Sequence, residues 1–403
     1  MDNVNKQYQW GDGVFTLLSW FKQERVKNAS VLVAGAGALG NEVVKNLALF
    51  GVGHIYVVDF DRIEMSNLTR SVLFRESDAR THAYKAQVVA QRAMEINPYI
   101  QVTPIVGNLF SEVGFGIYRR VDVVIGCLDS RLARYQLNRL CMRAGKTWID
   151  GSIENLTGAV RVYTPGVSCY ECGLSREEFN IIMLRTGCAD VERTEASAGR
   201  IATTPISASI IGAMQVQEAL KVIHLDDDNA TSSQFKTLQG KMLRYEGLTN
   251  SMNIYRFASW KKNCPSHERW SEVIECKEMS ATHTVRHTLS TLKALLQTSA
   301  LEINMRNNKF VDKIVADNPE KEFDVMIPES QLDQLISHDP ELKRLSYRTL
   351  LHKSFYENID QDFPYMDLTL QQVGIPPLDV IQVSTDKGLF LVELTGDADL
   401  TKE

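Results

Sequence analysis

A glycine turn set between two short apolar runs constrains this chain more than any other feature. VLVAG at 31–35 is apolar and β-branched, GAGALG occupies 35–40, and HIYVVDFD at 54–61 is a second apolar run that ends in acids. Between the two runs Val43, Val44, Leu47 and Phe50 recur close to helical spacing. Strand, tight turn, helix and strand in this order make a βαβ unit, and such a unit requires a parallel sheet.

Similar patterns extend the unit. Residues 79–96 read as helical, 101–106 (QVTPIV) as extended, 121–126 (VDVVIG) as a buried strand and 130–144 as a helix. Pro104 cannot donate to a ladder, which puts its strand at an edge. TWIDG and GAVRVY within 147–163 read as two more strands, and 206–223 as a long apolar helix. This alternation predicts a doubly wound α/β, Rossmann-like domain over 30–275, preceded by an N-terminal segment, 1–29. Residues 164–204 carry Gly, Pro, Cys and Thr with little periodicity, which reads as a loop-rich excursion of the kind that often carries function.

The 403 residues leave room for a second domain. With 44 Lys+Arg against 50 Asp+Glu the net charge is −6, which argues against a nucleic-acid partner held by its phosphates. The first residues lack the basic-then-apolar order of an export signal, and no apolar run is long enough to span a bilayer, so a cytoplasmic protein without a membrane partner is expected. In that setting seven cysteines read as thiols, metal ligands or a nucleophile before they read as disulfides. Residues 311–403 hold 19 acids and 8 bases, a balance of −11, which leaves the first 310 residues at +5. The acidic end is either a solvated face or a surface for a basic partner.

Chemistry is written into the segments after the strands. Gly35 and Gly37 permit a tight turn and close approach of phosphate, and Gly40 lets helix pack on strand. Asp59, 19 residues after Gly40, stands where an acid accepts from ribose hydroxyls. Those features alone would suit a dinucleotide oxidoreductase. DFDRIEMSNLTR then places Asp59, Asp61, Asn67 and Arg70 past the second strand, with Lys85 on the next helix. Two cations beside the phosphates suit the stabilisation of charge at an α-phosphate better than hydride transfer. In CLDSRLARYQLNRLC, Asp129 follows the 121–126 strand, where a hard carboxylate can hold Mg²⁺. Cys169 and Cys172 have the two-residue gap of a zinc knuckle, as do Cys264 and His267, with 91 residues between the pairs. Spacing alone leaves open whether the pairs meet or stand as separate thiols, with Cys276 as a substitute ligand.

GAGALG, DFDRIEMSNLTR, Lys85 within YKAQ, CLDSRLARYQLN, CYEC and GAMQVQEALK, in this order over about 30–268, resemble the ThiF/MoeB superfamily. That superfamily includes the activating enzymes of ubiquitin and ubiquitin-like proteins. The resemblance implies adenylation, by Mg²⁺ and ATP, of the C-terminal glycine of a small β-grasp carrier protein, and a homodimer. By position, Asp59 would hold the ribose, Asn67, Arg70 and Lys85 the phosphates, and Asp129 the magnesium, with Arg134 and Asn138 as weaker candidates. It also implies that Cys169, Cys172, Cys264 and His267 share one structural Zn²⁺. The sequence departs from the family in two places: Ser71 stands where Gln is usual after the arginine, and residues 1–24 show no Arg-rich segment.

Cys188, in the polar stretch LRTGCADVERTEASAG, is the candidate nucleophile of a catalytic loop at about 173–205, with Arg185 and Arg193 nearby to favour a thiolate. Thiolate attack on an acyl adenylate would give a thioester, and the resemblance implies a cysteine at this place. In 367–394, VIQV and LFLVEL read as strands joined by STDKG, a hairpin-length link. This stretch resembles the closing half of the ubiquitin-fold domain that captures a conjugating enzyme, which gives an α+β ubiquitin-fold-like domain over 285–403. The first expectation is therefore a ubiquitin-type activating enzyme, in a compact form resembling those of bacterial antiviral operons. The alternatives are a sulfur-carrier adenylyltransferase and a non-catalytic partner subunit.

Overall fold

The apolar runs expected at 31–35, 54–61, 101–106, 121–126 and within TWIDG form a parallel strand ladder. The computed structural model describes residues 10–11, 14–187, 202–225, 236–257, 260–306, 308–317, 320–342 and 350–398. Cys188 and the rest of 188–201 lie outside the described residues. The chain divides into two units, 1–106 with 120–183 and 200–269, and 107–119 with 184–199 and 270–403.

In the first unit β1 (Ser30–Ala34), β2 (His54–Val58), β3 (Gln101–Ile105), β4 (Val123–Gly126) and β5 (Trp148–Glu154) are parallel neighbours in the order β3-β2-β1-β4-β5. Pro104 sits in β3, the edge strand, as the sequence predicts. The antiparallel strands β6 (Thr157–Tyr163), β7 (Lys241–Glu246) and β8 (Ser251–Arg256) complete the sheet. Helices α1 (Ala38–Phe50), α2 (Glu76–Arg80), α3 (Lys85–Ile96), α4 (Arg131–Ala144), α5 (Arg176–Gly187) and α6 (Pro205–His224) accompany it. One core joins Val31, Val33, Val43, Val44, Leu47, Ile55, Val57, Ile125, Ile149 and Ile211, all buried. The strands therefore read as continuous apolar runs because both faces of a parallel sheet are covered.

One expectation about helices is corrected. The predicted helix over 79–96 is two helices, α2 and α3, because His82 adopts a left-handed φ of +49° that no helix continues through. Within the loop-rich excursion at 164–204 the chain also forms a helix, α5, which begins at Arg176. Its start is a capping box: Ser175 Oγ accepts from the Glu178 N–H at 3.1 Å while a Glu178 carboxylate oxygen accepts from the Ser175 N–H at 3.0 Å.

The second unit holds a five-stranded sheet in the order β14-β10-β15-β16-β9, formed by β9 (Ile274–Cys276), β10 (Leu301–Asn304), β14 (Asn358–Ile359), β15 (Val380–Thr385) and β16 (Gly388–Leu394). β15 and β16 form the predicted hairpin, and β16 runs parallel to β9. Helix α7 (Val285–Leu296) buries Leu289, Leu292 and Leu296 in the core that also holds Ile381, Val383 and Val392. Between β10 and β14 the chain adds β11 (Phe310–Asp317), β12 (Glu320–Pro328), helix α8 (Glu329–His338) and β13 (Leu350–Tyr356), whose strands form a separate three-stranded sheet. The stretch 107–119 belongs to this unit, where the Phe115 N–H donates to Asp379 Oδ1 at 2.9 Å. Among the described residues no helix is long and apolar enough to cross a membrane.

Candidate functional site

The strand order reverses between β1 and β4, and ligands of open α/β sheets bind at the carboxyl ends of strands flanking such a switch. The glycine turn follows β1, Asp59 follows β2, and Asp129 follows β4, so the candidate groups share that edge.

Each glycine there meets a different constraint. Gly35 has φ +99°, and a Cβ on it would lie 2.6 Å from the Cys127 carbonyl oxygen. On Gly40 a Cβ would lie 2.0 Å from the Gly35 carbonyl oxygen, so these two glycines fix the turn and its packing. A Cβ on Gly37 would meet no protein atom within 4 Å, which leaves its backbone open to a ligand. The N-terminus of α1 starts one residue later, and its N–H groups suit an anion.

Asp59 closes the turn from β2. One of its carboxylate oxygens accepts from the Ala36 N–H at 2.7 Å and the other from the Asp61 N–H at 2.8 Å. Burial holds its carboxyl above the usual range, opposed by the charge of Lys85 and the Ala36 N–H. Lys85, the first residue of α3, pairs with Asp61 at 2.6 Å. Arg70 donates to the Ser66 carbonyl at 2.8 Å, and Asn67 Oδ1 accepts from the Glu64 N–H at 2.9 Å. Both bonds close within the 64–70 turns, and the Arg70 guanidinium folds back on its own segment. Ser71 is buried, and Asp129 is exposed.

Several residues that hold this edge together were not singled out by the sequence. Asn41 is fully buried and donates to the carbonyls of Ala36 and Gly37 at 2.8 and 3.0 Å, and it accepts from the Leu73 N–H at 2.9 Å. Gln215 of α6 donates to the carbonyls of Gly126 and Ile149 at 2.9 and 3.2 Å. A polar residue on an apolar helical face was the available signal for Gln215. Arg134 pairs with Asp150 at 2.7 Å, and Asn138 donates to Cys169 Sγ at 3.2 Å. Burial pushes the Cys127 and Cys141 thiols well up, which keeps both protonated.

The two cysteine pairs do meet. Ligand atoms of Cys169, Cys172, Cys264 and His267 all lie within 4.8 Å of one another, and Cys172 Sγ is 3.4 Å from His267 Nε2. Besides the Asn138 bond to Cys169, the Lys261 N–H donates to Cys172 Sγ at 3.3 Å, and Trp260 stacks on the His267 ring. Burial pushes the Cys169 and Cys264 thiols up and the His267 imidazole down, so a bound cation is what would draw thiolates here. Three sulfurs and one imidazole nitrogen, oriented by outer hydrogen bonds, fit a closed tetrahedral Zn²⁺ site. Cys276 lies in β9 with its thiol against Glu278 Oε2 at 3.4 Å.

The profile of the ThiF family matches residues 11–266. Adenylyltransferase and sulfurtransferase MOCS3 of Drosophila willistoni is 30% identical over 244 residues, covering 60% of this chain and 49% of the relative. A sulfur carrier protein adenylyltransferase of Thermus thermophilus is 32% identical over 251 residues, covering 60% of this chain and 83% of the relative. The chain thus spans about half the length of the MOCS3 relatives it matches. Among solved structures, E. coli MccB with ATP is 23% identical and covers 61% of this chain and 68% of its own, with a TM-score of 0.48.

Proposed function

The chain belongs to the ThiF family, and from that premise we propose that it is an ATP-dependent adenylyltransferase acting on the C-terminal carboxylate of a small carrier protein. The curated relatives, one named as a sulfur carrier protein adenylyltransferase and another as an adenylyltransferase and sulfurtransferase, favour the sulfur-carrier alternative over the ubiquitin-type activator that the sequence put first. One observation carries the reading: the open backbone at Gly37, the acid Asp59 and the cation Lys85 stand at the carboxyl edge where the strand order reverses.

In this reading a carrier carboxylate oxygen attacks the α-phosphorus of ATP, a P–O bond forms, and the bond to the bridging oxygen breaks to release pyrophosphate. Asp59 accepts from the ribose hydroxyls, and the N-terminus of α1 faces the phosphates across Gly37. Arg70, Lys85 and the Asn67 amide neutralise and orient the phosphate oxygens as charge gathers on them. Asp129 would hold the Mg²⁺ that travels with ATP, which supplies further positive charge at the leaving group. Zn²⁺ in the Cys169, Cys172, Cys264 and His267 set would be structural, because four protein ligands fill its tetrahedron.

A second reading rests on the second unit. Residues 270–398 lie beyond the ThiF match, and there a helix follows the strand β9, which pairs in parallel with the last strand, β16. This arrangement favours a ubiquitin-fold-like domain that includes β9 together with the expected 285–403 and receives a conjugating enzyme, with Cys188 as the thioester acceptor in a homodimeric activator.

The test of adenylation is carrier-dependent exchange of labelled pyrophosphate into ATP. Exchange by the purified chain, abolished in Asp129→Ala, is the expected result; no exchange with any β-grasp carrier, together with no ATP binding, overturns the proposal.

A further inference from the structure

We infer that Arg134, anchored by Asp150, is a positioning residue that holds the turn carrying Asp129 at the phosphate edge. The inference rests on the adenylation reading for what Asp129 does, and on the structure for what holds it.

The turn after β4 is short and restrained along its length. The Cys127 N–H donates to the Ala34 carbonyl at 2.8 Å, and the Gly126 carbonyl accepts from Gln215. Two residues on, the Leu128 carbonyl accepts from Arg134 Nη2, which also donates to the Gly151 carbonyl at 3.3 Å. Arg134 Nε donates to Asp150 Oδ1 at 2.7 Å, so one planar guanidinium grips a carboxylate and two carbonyls. Asp129 follows Leu128 directly, and Ser130 caps α4 by accepting from the Ala133 N–H at 3.4 Å. The exposed carboxylate thus stands between a fixed carbonyl and a capped helix start.

The anchor is itself built for this task. Asp150 is fully buried in β5, in register with Gly126 of β4, and its second oxygen accepts from Arg161 at 3.2 Å. Arg161 donates also to Ser152 Oγ at 3.2 Å. A buried carboxylate with two arginines is costly unless its lone pairs are used, and one branch of this network reaches the turn that bears the candidate metal-binding acid.

A double-mutant cycle tests the inference with the full chain. Mg²⁺-dependent ATP binding is measured by calorimetry for wild type, Arg134→Met, Asp129→Asn and the double variant. Arg134→Met should weaken the Mg²⁺-dependent part of binding about ten- to hundredfold, the usual range for an outer-shell partner. The same substitution should change nothing further in the Asp129→Asn background, because its effect passes through Asp129. Equal losses in both backgrounds would mean a structural role and overturn the inference. If Arg134→Met does not fold, Arg134→Lys, which keeps the charge beside Asp150 but lacks the planar fork, should show the same pattern at smaller amplitude, and an unchanged Mg²⁺ midpoint in that variant overturns it equally. Failure of the wild type to bind ATP at all would instead refute the adenylation reading.

Discussion

The side-chain oxygen of Asn41 accepts the backbone N–H of Leu73 at 2.9 Å, while its amide donates to the carbonyls of Ala36 and Gly37. One buried amide therefore ties the glycine turn to the segment that carries Asn67 and Arg70. Replacing it by Leu, of similar volume, leaves the Leu73 N–H and two carbonyls without this partner. Each buried group left unsatisfied costs about 1–3 kcal/mol, so Asn41→Leu should lower the denaturation free energy by at least that much and weaken ATP binding. Unchanged chemical denaturation and unchanged affinity would show that the bridge is dispensable.

Gly37 and Gly40 should respond oppositely to the same methyl group. Gly40→Ala drives a Cβ into the Gly35 carbonyl and should depress the melting temperature. Gly37→Ala meets no protein atom within 4 Å, so its melting temperature should stay close to wild type while ATP binding falls. Calorimetry beside a nucleotide titration separates the two, and full ATP affinity in Gly37→Ala would move the phosphates elsewhere.

The metal cluster should behave as a structural site. Elemental analysis should find one zinc per chain, and Cys172→Ser or Cys264→Ala should lose it together with thermal stability. A chain that melts at the same temperature with and without strong chelator would remove the metal from the fold.

His224 makes stability depend on pH. Its Nδ1 lies 2.7 Å from the Leu220 carbonyl and its Nε2 accepts from the Lys22 N–H at 2.9 Å, so the ring is neutral with its proton on Nδ1. Burial lowers its pKa. The unfolded histidine therefore binds its proton first as pH falls, and the stability present above about pH 6.5 should drop progressively below that value. His224→Gln should flatten that slope in melting curves from about pH 7.5 to 5, whereas an identical slope would assign the acid sensitivity to other groups.

The two functional readings separate at Cys188. In Cys188→Ala, pyrophosphate exchange should persist under either reading, and a carrier adduct that reductant cleaves should vanish only if this thiol is the acceptor. Intact-mass measurement with and without reductant reads the difference directly.

What the sequence determined by itself are the features whose causes are local. The β-branched runs at 31–35 and 54–61, the glycines between them and Pro104 in an edge strand follow from φ/ψ limits and from the periodicity of burial. A local signal was also present for the missed start of α5, where Ser175 and Glu178 spell a capping box, whereas the left-handed φ of His82 that splits one expected helix into two shows only in the structure. Tertiary structure alone decided what depends on groups far apart in the chain. It brought Cys172 within 3.4 Å of His267 across more than ninety residues, paired Arg134 with Asp150, and buried Asn41 against Leu73. A buried hydrogen bond or a ligand tetrahedron is satisfied by whichever groups packing delivers, and spacing along a chain carries no record of that delivery.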